Sequence, residues 1–412
     1  MVYVILGETA SGKTEVALSI CRRLHIPLIS ADAFSVYRGF DIGSAKPTAT
    51  ELEGIEHYFI DTLDFGEEMT VYRFQREGRA LLDRFAREGR DCVVAGGTFL
   101  YVRALLFPFE FPPVEYPHPD SLDKTDLKDM VQQLLELDPQ ASQSVDLKNP
   151  RRVERALALA RSGKTRTEVK ESFVNLPLYP SIFIRIKSDP AEVRQRIDLR
   201  THLMMEKGLL AETEKLRTEH PAFASTFRGI GFKEICSRLD SGRSLDGVEE
   251  EIAADTRQYA RRQRTFLRHQ FPYLVCMSRE MICEAVCRDS ELGGQDMKRE
   301  KQVSIPLIPL MSLDYTPAID ELYRLGFRAI AVYTLDRGMI EDFANNVALH
   351  SPLMQMLFFD DKEIDKGKLP PFSFALPLLK DLRADPIIDQ YIREHAIPIK
   401  DLGAIEAEVK KR

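Results

Sequence analysis

The sequence predicts an α/β protein with a parallel sheet at its centre, a helical insertion, and a further α/β-like unit at its C-terminal end. Three observations predict it. Between residues 1 and 112, short apolar runs alternate with stretches of helical periodicity, the pattern of strands joined by crossover helices. Residues 113–180 break that pattern: the proline-rich FPPVEYPHPDS (111–121) reads as a loop or linker, and charged helical stretches follow around 124–137 and 149–161. The run SIFIRI (181–186) then reads as a strand returning to the sheet.

The first strand, Val2–Leu6, ends in GETASGKT (7–14). Gly7, then Gly12-Lys13-Thr14, complete G-x-x-x-x-G-K-[ST], the P-loop pattern. A strand, a glycine-bearing turn and a helix start in succession aim backbone N–H groups and a positive helix end at one anion. Gly7, Thr9, Ala10, Ser11, Gly12 and Lys13 are therefore candidates to hold a phosphate, and the Thr14 hydroxyl is a candidate ligand for Mg²⁺. The motif does not say whose phosphate; kinases, NTPases and some transferases all use it. The second strand, within IPLIS (26–30), ends at Ala31-Asp32. A carboxylate there suits a metal or a proton from a nucleophile, and equally suits a turn cap. The third, within DCVVA (91–95), ends at Gly96-Gly97-Thr98. Because parallel sheets bind ligands beyond the carboxyl ends of their strands, Thr14, Asp32 and Thr98 are expected to converge.

Residues 190–290 read as helical. Arg196 and Arg200 lie one turn apart there, suited to a diphosphate or to a solvated helix face. The stretch TRQYARRQRTFLRHQ (256–270) holds Arg257, Arg261, Arg262, Arg264 and Arg268 and no acid. It suits a nucleic-acid backbone, or is a basic surface helix without a partner. A second basic stretch, KNPRRVERALALARSGKTR (148–166), lies in the insertion. The polar ELGGQDMKREKQ (291–302) reads as a linker, followed by a separate-looking unit, 303–412, with strands in SIPLIPL, RAIAVYTL and LMQMLFF. On this reading a fragment lacking 303–412 remains folded and active.

Composition sets the limits. The chain has 412 residues, room for two or three domains, and its 44% hydrophobic and 29% charged content is that of a soluble globular protein. No apolar stretch approaches a membrane span, and the N-terminus reads as a strand rather than a signal peptide. Six cysteines without a C-x-x-C pair indicate neither a zinc ribbon nor a disulfide framework, so a reducing, cytoplasmic setting is expected. The eight histidines show no metal-ligand spacing. A net charge of −7 excludes a wholly basic nucleic-acid binder but leaves room for a local patch.

Taken together, GETASGKT, ISADAFSVYRGFDIGSAKP (29–47), HYFIDTL (57–63), GGTFLYVRALL (96–106), LDPQAS (137–142), NPRRVERALALARSGK (149–164), RQRIDLRTHLMMEKGLLAE (194–212), GIGFKEI (229–235) and TRQYARRQRTF (256–266) resemble, in order, the tRNA dimethylallyltransferase (isopentenyltransferase) family. The resemblance covers roughly residues 1–275. It implies a P-loop NTPase-like core in two parts, 1–112 and 181–290, around a tRNA-contacting insertion at 113–180. It also implies the reaction: transfer of a dimethylallyl group from dimethylallyl diphosphate to the exocyclic amine of the adenosine 3′ of the anticodon, the base being flipped from its stack. By the same resemblance Asp32 is the general base, Gly12, Lys13 and Thr14 hold the diphosphate with Mg²⁺, Arg196 and Arg200 neutralise the leaving group, and Thr98 assists at the reacting centre. Asp32, Ala33, Phe34, Ser35, Arg151, Arg152, Arg155, Arg228 and Lys233 match tRNA-contacting segments, joined by Arg257, Arg261 and Arg262 of the basic stretch. A cytoplasmic monomer, with no membrane partner, is expected.

The sequence departs from the family pattern at several positions. Glu8 stands where Pro or Ala is usual, and an acid so near a diphosphate is unhelpful unless it points away. The usual D-S-x-Q is Asp32-Ala33-Phe34-Ser35, without the glutamine that reads adenine. Phe99 is bulkier than the usual glycine, and Phe266 replaces a tryptophan. The alternatives are an adenylate isopentenyltransferase, a P-loop kinase of small metabolites, and a non-catalytic RNA-binding relic.

Overall fold

A computed structural model of the chain describes residues 1–109, 111, 124–163, 165, 177–223, 229–271 and 274–293, and after that only short stretches between 306 and 397. The chain divides into two units: 1–106 together with 177–412, and 107–176.

The larger unit begins β1 (Val2–Leu6), α1 (Lys13–Leu24), β2 (Leu28–Ser30), α2 (Ala49–Leu52), β3 (His57–Tyr58), α3 (Val71–Arg87), β4 (Cys92–Ala95), α4 (Phe99–Leu106). Every strand of its sheet is parallel, in the order β3-β2-β4-β1, continued by β5 (Ser181–Ile186) and β6 (Val275–Met277). β1 lies between β4 and β5, which explains why all five of its residues are apolar and buried. The register places Ile5 opposite Ala95 and Ala95 opposite Ser30, so β1, β4 and β2 end level with one another. The loops that follow them, at 7–12, 96–98 and 31–35, therefore open together beyond the carboxyl ends of the strands, as expected.

β3 and β6 are additions to the sequence reading, which took 190–290 as helical throughout. They are two and three residues long and lie at the sheet's two edges, too short and too exposed for an apolar run to announce them. The second part of the unit supplies α7 (Pro190–Glu206), α8 (Leu209–Glu219), α9 (Phe232–Asp240), α10 (Val248–Gln270) and α11 (Arg279–Gly293). Among the described residues no helix is long and apolar enough to cross a membrane.

The smaller unit contains α5 (Lys124–Leu137) and α6 (Pro150–Arg161), packed on Leu134, Val153, Ala156, Leu157 and Ala160. Asn149 starts α6, its side chain accepting from the Arg152 N–H at 3.3 Å ahead of a proline in the first turn.

The C-terminal segment contributes β7 (Pro306–Pro309), α12 (Thr316–Arg324), β8 (Ala329–Tyr333), β9 (Gln355–Phe359) and β10 (Phe374–Ala375) to a second parallel sheet, ordered β10-β7-β8-β9. The three expected strands are present. The described part of this segment does not stand apart, however. Ile319, Leu322, Tyr323, Ile330, Val332, Phe343 and Leu353 share one buried cluster with Tyr3, Ile5, Ile182 and Ile184. Buried Gln355 donates to Ser181 O at 2.9 Å and accepts from Phe183 N at 3.0 Å, and Asp289 accepts from both Tyr3 (2.9 Å) and Tyr323 (3.2 Å) hydroxyls. Uncovering two or three such large apolar side chains costs about 5 kcal/mol, comparable with a whole domain's net stability. A fragment ending at residue 295 is therefore expected to aggregate or to unfold well below the full chain in a thermal melt. An unchanged midpoint would show that the extension contributes nothing to the core.

Candidate active site

The loop after β1 is shaped by its own backbone. Gly12 has φ +90°, where side chains are strained, and it opens α1; Ala10 also sits at φ +62°. Ser11 N donates to Glu8 O (3.2 Å), and the buried Lys13 Nζ donates to the same carbonyl (2.7 Å). Burial above all, then the Arg200 charge, pushes the Lys13 amine down to about 8, with Asp32 and Glu8 opposing. Arg200 reaches in from α7: its Nη2 donates to Thr9 Oγ1 at 2.8 Å, while its Nε is buried without a hydrogen-bond partner among the described residues. Burial lowers its pKa, again with Asp32 opposing. Two cations facing one P-loop, one with an unmet donor, form a receptacle for an anion.

The loops after β2 and β4 are locked together. A Cβ on Gly96 would fall 2.2 Å from the Ala31 backbone, so only glycine permits the approach. Thr98 N donates to Ala31 O (3.0 Å), and Thr98 Oγ1 accepts from Ala33 N (3.0 Å). Asp32 divides its carboxylate between two tasks. Oδ1 caps the turn, accepting from Phe34 N (2.9 Å) and Ser35 N (3.2 Å). Oδ2 faces Gly97: a Cβ added there would lie 3.6 Å from it, 3.0 Å from Gln263 Nε2 and 3.7 Å from Tyr259 Oη. Oδ2 thus remains available to a proton on a bound molecule. Thr98 retains its hydroxyl proton, though its oxygen already braces the Asp32 turn.

Two residues of α10 were not singled out in the sequence and complete the site. Gln263 accepts from Thr9 N (2.7 Å) and donates to Gly97 O (2.9 Å), joining the P-loop to the β4 loop. Tyr259 donates to the same carbonyl (2.9 Å), and burial, with Asp32 adding to it, pushes its phenol up to about 12. The signal was present: Gln263 falls on the buried stripe of α10, with Ile252, Thr256, Ala260 and Leu267, where an unspent amide is costly.

The remaining candidates separate. Arg196 pairs with Glu192 (3.5 Å) on its own helix and is partly exposed, so of the two arginines it is Arg200 that bonds the P-loop. Thr14 is exposed at the mouth of the loop. Ser35 is buried and spends its hydroxyl on Ser30 Oγ (3.0 Å) and Asp32 O (3.5 Å). Lys233 is held by Asp255 (2.6 Å) and Glu234 (3.1 Å), and Arg257 by Asp198 and Glu250. Arg261 and Arg262 are exposed and form no ion pair among the described residues; Arg262 donates to Gln258 (2.9 Å) on its own helix. Arg264 turns inward to Glu8. In the smaller unit Arg152 and Arg155 are exposed on α6. Arg228 and the side chain of Arg151 lie outside the described residues. Phe99 and Phe266 pack together, centroids 6.2 Å apart, so the larger residue at 99 meets a smaller one at 266.

Comparison with known proteins gives one consistent result. The family model described as IPP transferase matches residues 35–270. The chain is similar to a tRNA dimethylallyltransferase of Acetivibrio thermocellus, 38% identical over 283 residues, covering 65% of this chain and 88% of that one. The crystal structure of a tRNA isopentenylpyrophosphate transferase from Bacillus halodurans is 27% identical with a TM-score of 0.53, covering 70% of this chain and 95% of that one. A eukaryotic dimethylallyltransferase acting on tRNA, 24% identical with a TM-score of 0.59 over 73% of this chain and 81% of that one, shares the fold.

Proposed function

Since the chain belongs to the IPP transferase family, we infer that it transfers a dimethylallyl group from dimethylallyl diphosphate to the exocyclic amine of the adenosine 3′ of the anticodon in tRNA. What carries the assignment to this site is the pairing of an uncommitted Asp32 Oδ2 with an anion receptacle made by the P-loop, Lys13 and Arg200. The amine nitrogen attacks the allylic carbon, the carbon–oxygen bond breaks with its electron pair leaving on the diphosphate, and Asp32 accepts the amine proton. An aryl amine is a poor nucleophile, so acceleration comes from positioning and from compensating the charge that develops on the leaving group. Arg200 and Lys13 do the compensating; Thr98, Gln263 and Tyr259 hold the Asp32 and Gly97 loops in place. Arg196 is paired with Glu192 on its own helix and would change partner to contact the diphosphate.

Mg²⁺ fits the donor set in a limited way: among the described residues no cluster of three histidine, cysteine or carboxylate side chains forms a cage, while the Thr14 hydroxyl is exposed at the P-loop. An ion held by Thr14, water and the substrate's own phosphates is the ordinary arrangement for this metal, and supplies charge neutralisation when bound.

On the RNA side, Arg261 and Arg262 are exposed cations of α10 that form no ion pair among the described residues. Replacing both with alanine is expected to reduce the slope of log affinity for tRNA against log salt by between about one and two units, with donor binding little changed. An unchanged slope returns both to a solvated helix face. Incubation with labelled dimethylallyl diphosphate and either tRNA or AMP tests the function: label enters tRNA on this reading, and enters AMP if the protein is an adenylate isopentenyltransferase.

A further inference from the structure

Glu8 is only 1% exposed, at the second position of the P-loop. Its Oε1 accepts from Arg264 Nε of α10 at 2.8 Å and lies 3.3 Å from Arg185 Nη2 of β5, while its Oε2 is buried without a hydrogen-bond partner among the described residues. Such a cluster is poor value for stability. Burying charges costs several kcal/mol each, and an apolar substitute of similar size often does as well. The half-satisfied carboxylate therefore calls for another explanation.

The surroundings supply one. Lys13 Nζ rests on the Glu8 carbonyl, and Thr9, the next residue, receives Arg200. Arg185 and Arg264 thus stand beside a pocket that already has two cations. Breaking the carbon–oxygen bond leaves an extra negative charge on the diphosphate, so four cations around it would hold the product more firmly than the substrate and slow its release.

We propose that Glu8 is a charge brake on this pocket: by engaging Arg185 and Arg264 it lowers affinity for the diphosphate product and lets it leave. The proposal rests on reading the P-loop as the diphosphate site. Glu8 acts through the arginines and touches no reacting atom, so it is a positioning residue. Its effect has a sign that simple bracing of the loop does not share, because removing a brace loosens the anion, whereas removing the brake tightens it.

The test is calorimetric titration of pyrophosphate, with Mg²⁺ in excess, into the wild type and Glu8→Gln. The variant is expected to bind pyrophosphate roughly tenfold more tightly, the scale of one unit charge several ångströms away in partly screened surroundings. Its donor KM and kcat are both expected to fall as product release becomes limiting. Equal or weaker binding by a folded Glu8→Gln overturns the proposal. The charge-conserving Glu8→Gln/Arg264→Gln protein covers the case in which the single variant does not fold. It is expected to keep wild-type pyrophosphate affinity within about threefold, and a tenfold loss there would establish bracing instead. A wild type that binds no pyrophosphate would refute the diphosphate reading itself, a result distinct from both.

Discussion

Asp32→Asn is expected to lower the rate of dimethylallyl transfer to tRNA by roughly 10²–10⁴-fold, the usual contribution of a positioned general base. The substitution leaves the fold almost untouched. Asp32 Oδ1 works as a turn cap for the Phe34 and Ser35 amides, and an asparagine oxygen does the same. Only Oδ2, beside Gly97, loses its basicity. Affinity for tRNA should stay within a few-fold and the melting temperature should hardly move. Near-normal turnover in single-turnover assays would remove Asp32 from the chemistry and leave it as a cap.

Arg200→Ala is expected to reduce kcat/KM for the donor by about 10–100-fold, the worth of one or two charge-assisted hydrogen bonds, with KM rising and kcat falling together. The loss has two parts. The diphosphate loses the guanidinium whose Nε is buried and unpartnered among the described residues, and the P-loop loses the contact to Thr9 Oγ1. Arg200→Lys keeps the charge without the fork and should recover only part of the loss. Arg196→Ala, by contrast, should change either parameter less than threefold, since Arg196 pairs with Glu192 on its own helix, whereas it is Arg200 that bonds the P-loop. Steady-state kinetics with varied dimethylallyl diphosphate separates the two arginines, and equal effects would contradict the geometry.

The difference between Arg196 and Arg200 marks where sequence reasoning reaches its limit. Helical spacing puts them on one face, but which of the two enters the site depends on how α7 packs through Val193, Ile197, Thr201 and Met204. What was legible is local: β1, β2, β4 and β5 are apolar runs of strand length, and the P-loop is a short motif whose turn chemistry fixes its shape. That the strands' carboxyl ends lie together follows from the parallel order alone. Asp32 was legible as a residue but ambiguous in role, because cap and base are alternatives on paper and coexist on its two oxygens. The basic stretch was legible as charge, yet a stretch without acids says nothing of acids elsewhere. Asp198 and Glu250 take Arg257, and Glu8 takes Arg264. In the same way, a polar linker before residue 303 does not reveal that Gln355 docks on β5.

Ser35 adds a constraint on base recognition. With its hydroxyl spent on Ser30 and the Asp32 carbonyl, it does not stand in for the missing glutamine. On the proposed reading, recognition of the acceptor comes from other groups around Oδ2, and the position modified is the sharpest readout. The most direct measurement is to react the full-length protein with labelled dimethylallyl diphosphate and unmodified tRNA, digest the product, and identify the labelled nucleoside and its position by mass spectrometry. A single N6-dimethylallyl adenosine is expected, immediately 3′ of the anticodon, formed at least about a hundredfold more slowly with Asp32→Asn. Label at any other nucleotide, on free AMP only, or undiminished in Asp32→Asn would contradict the proposed function.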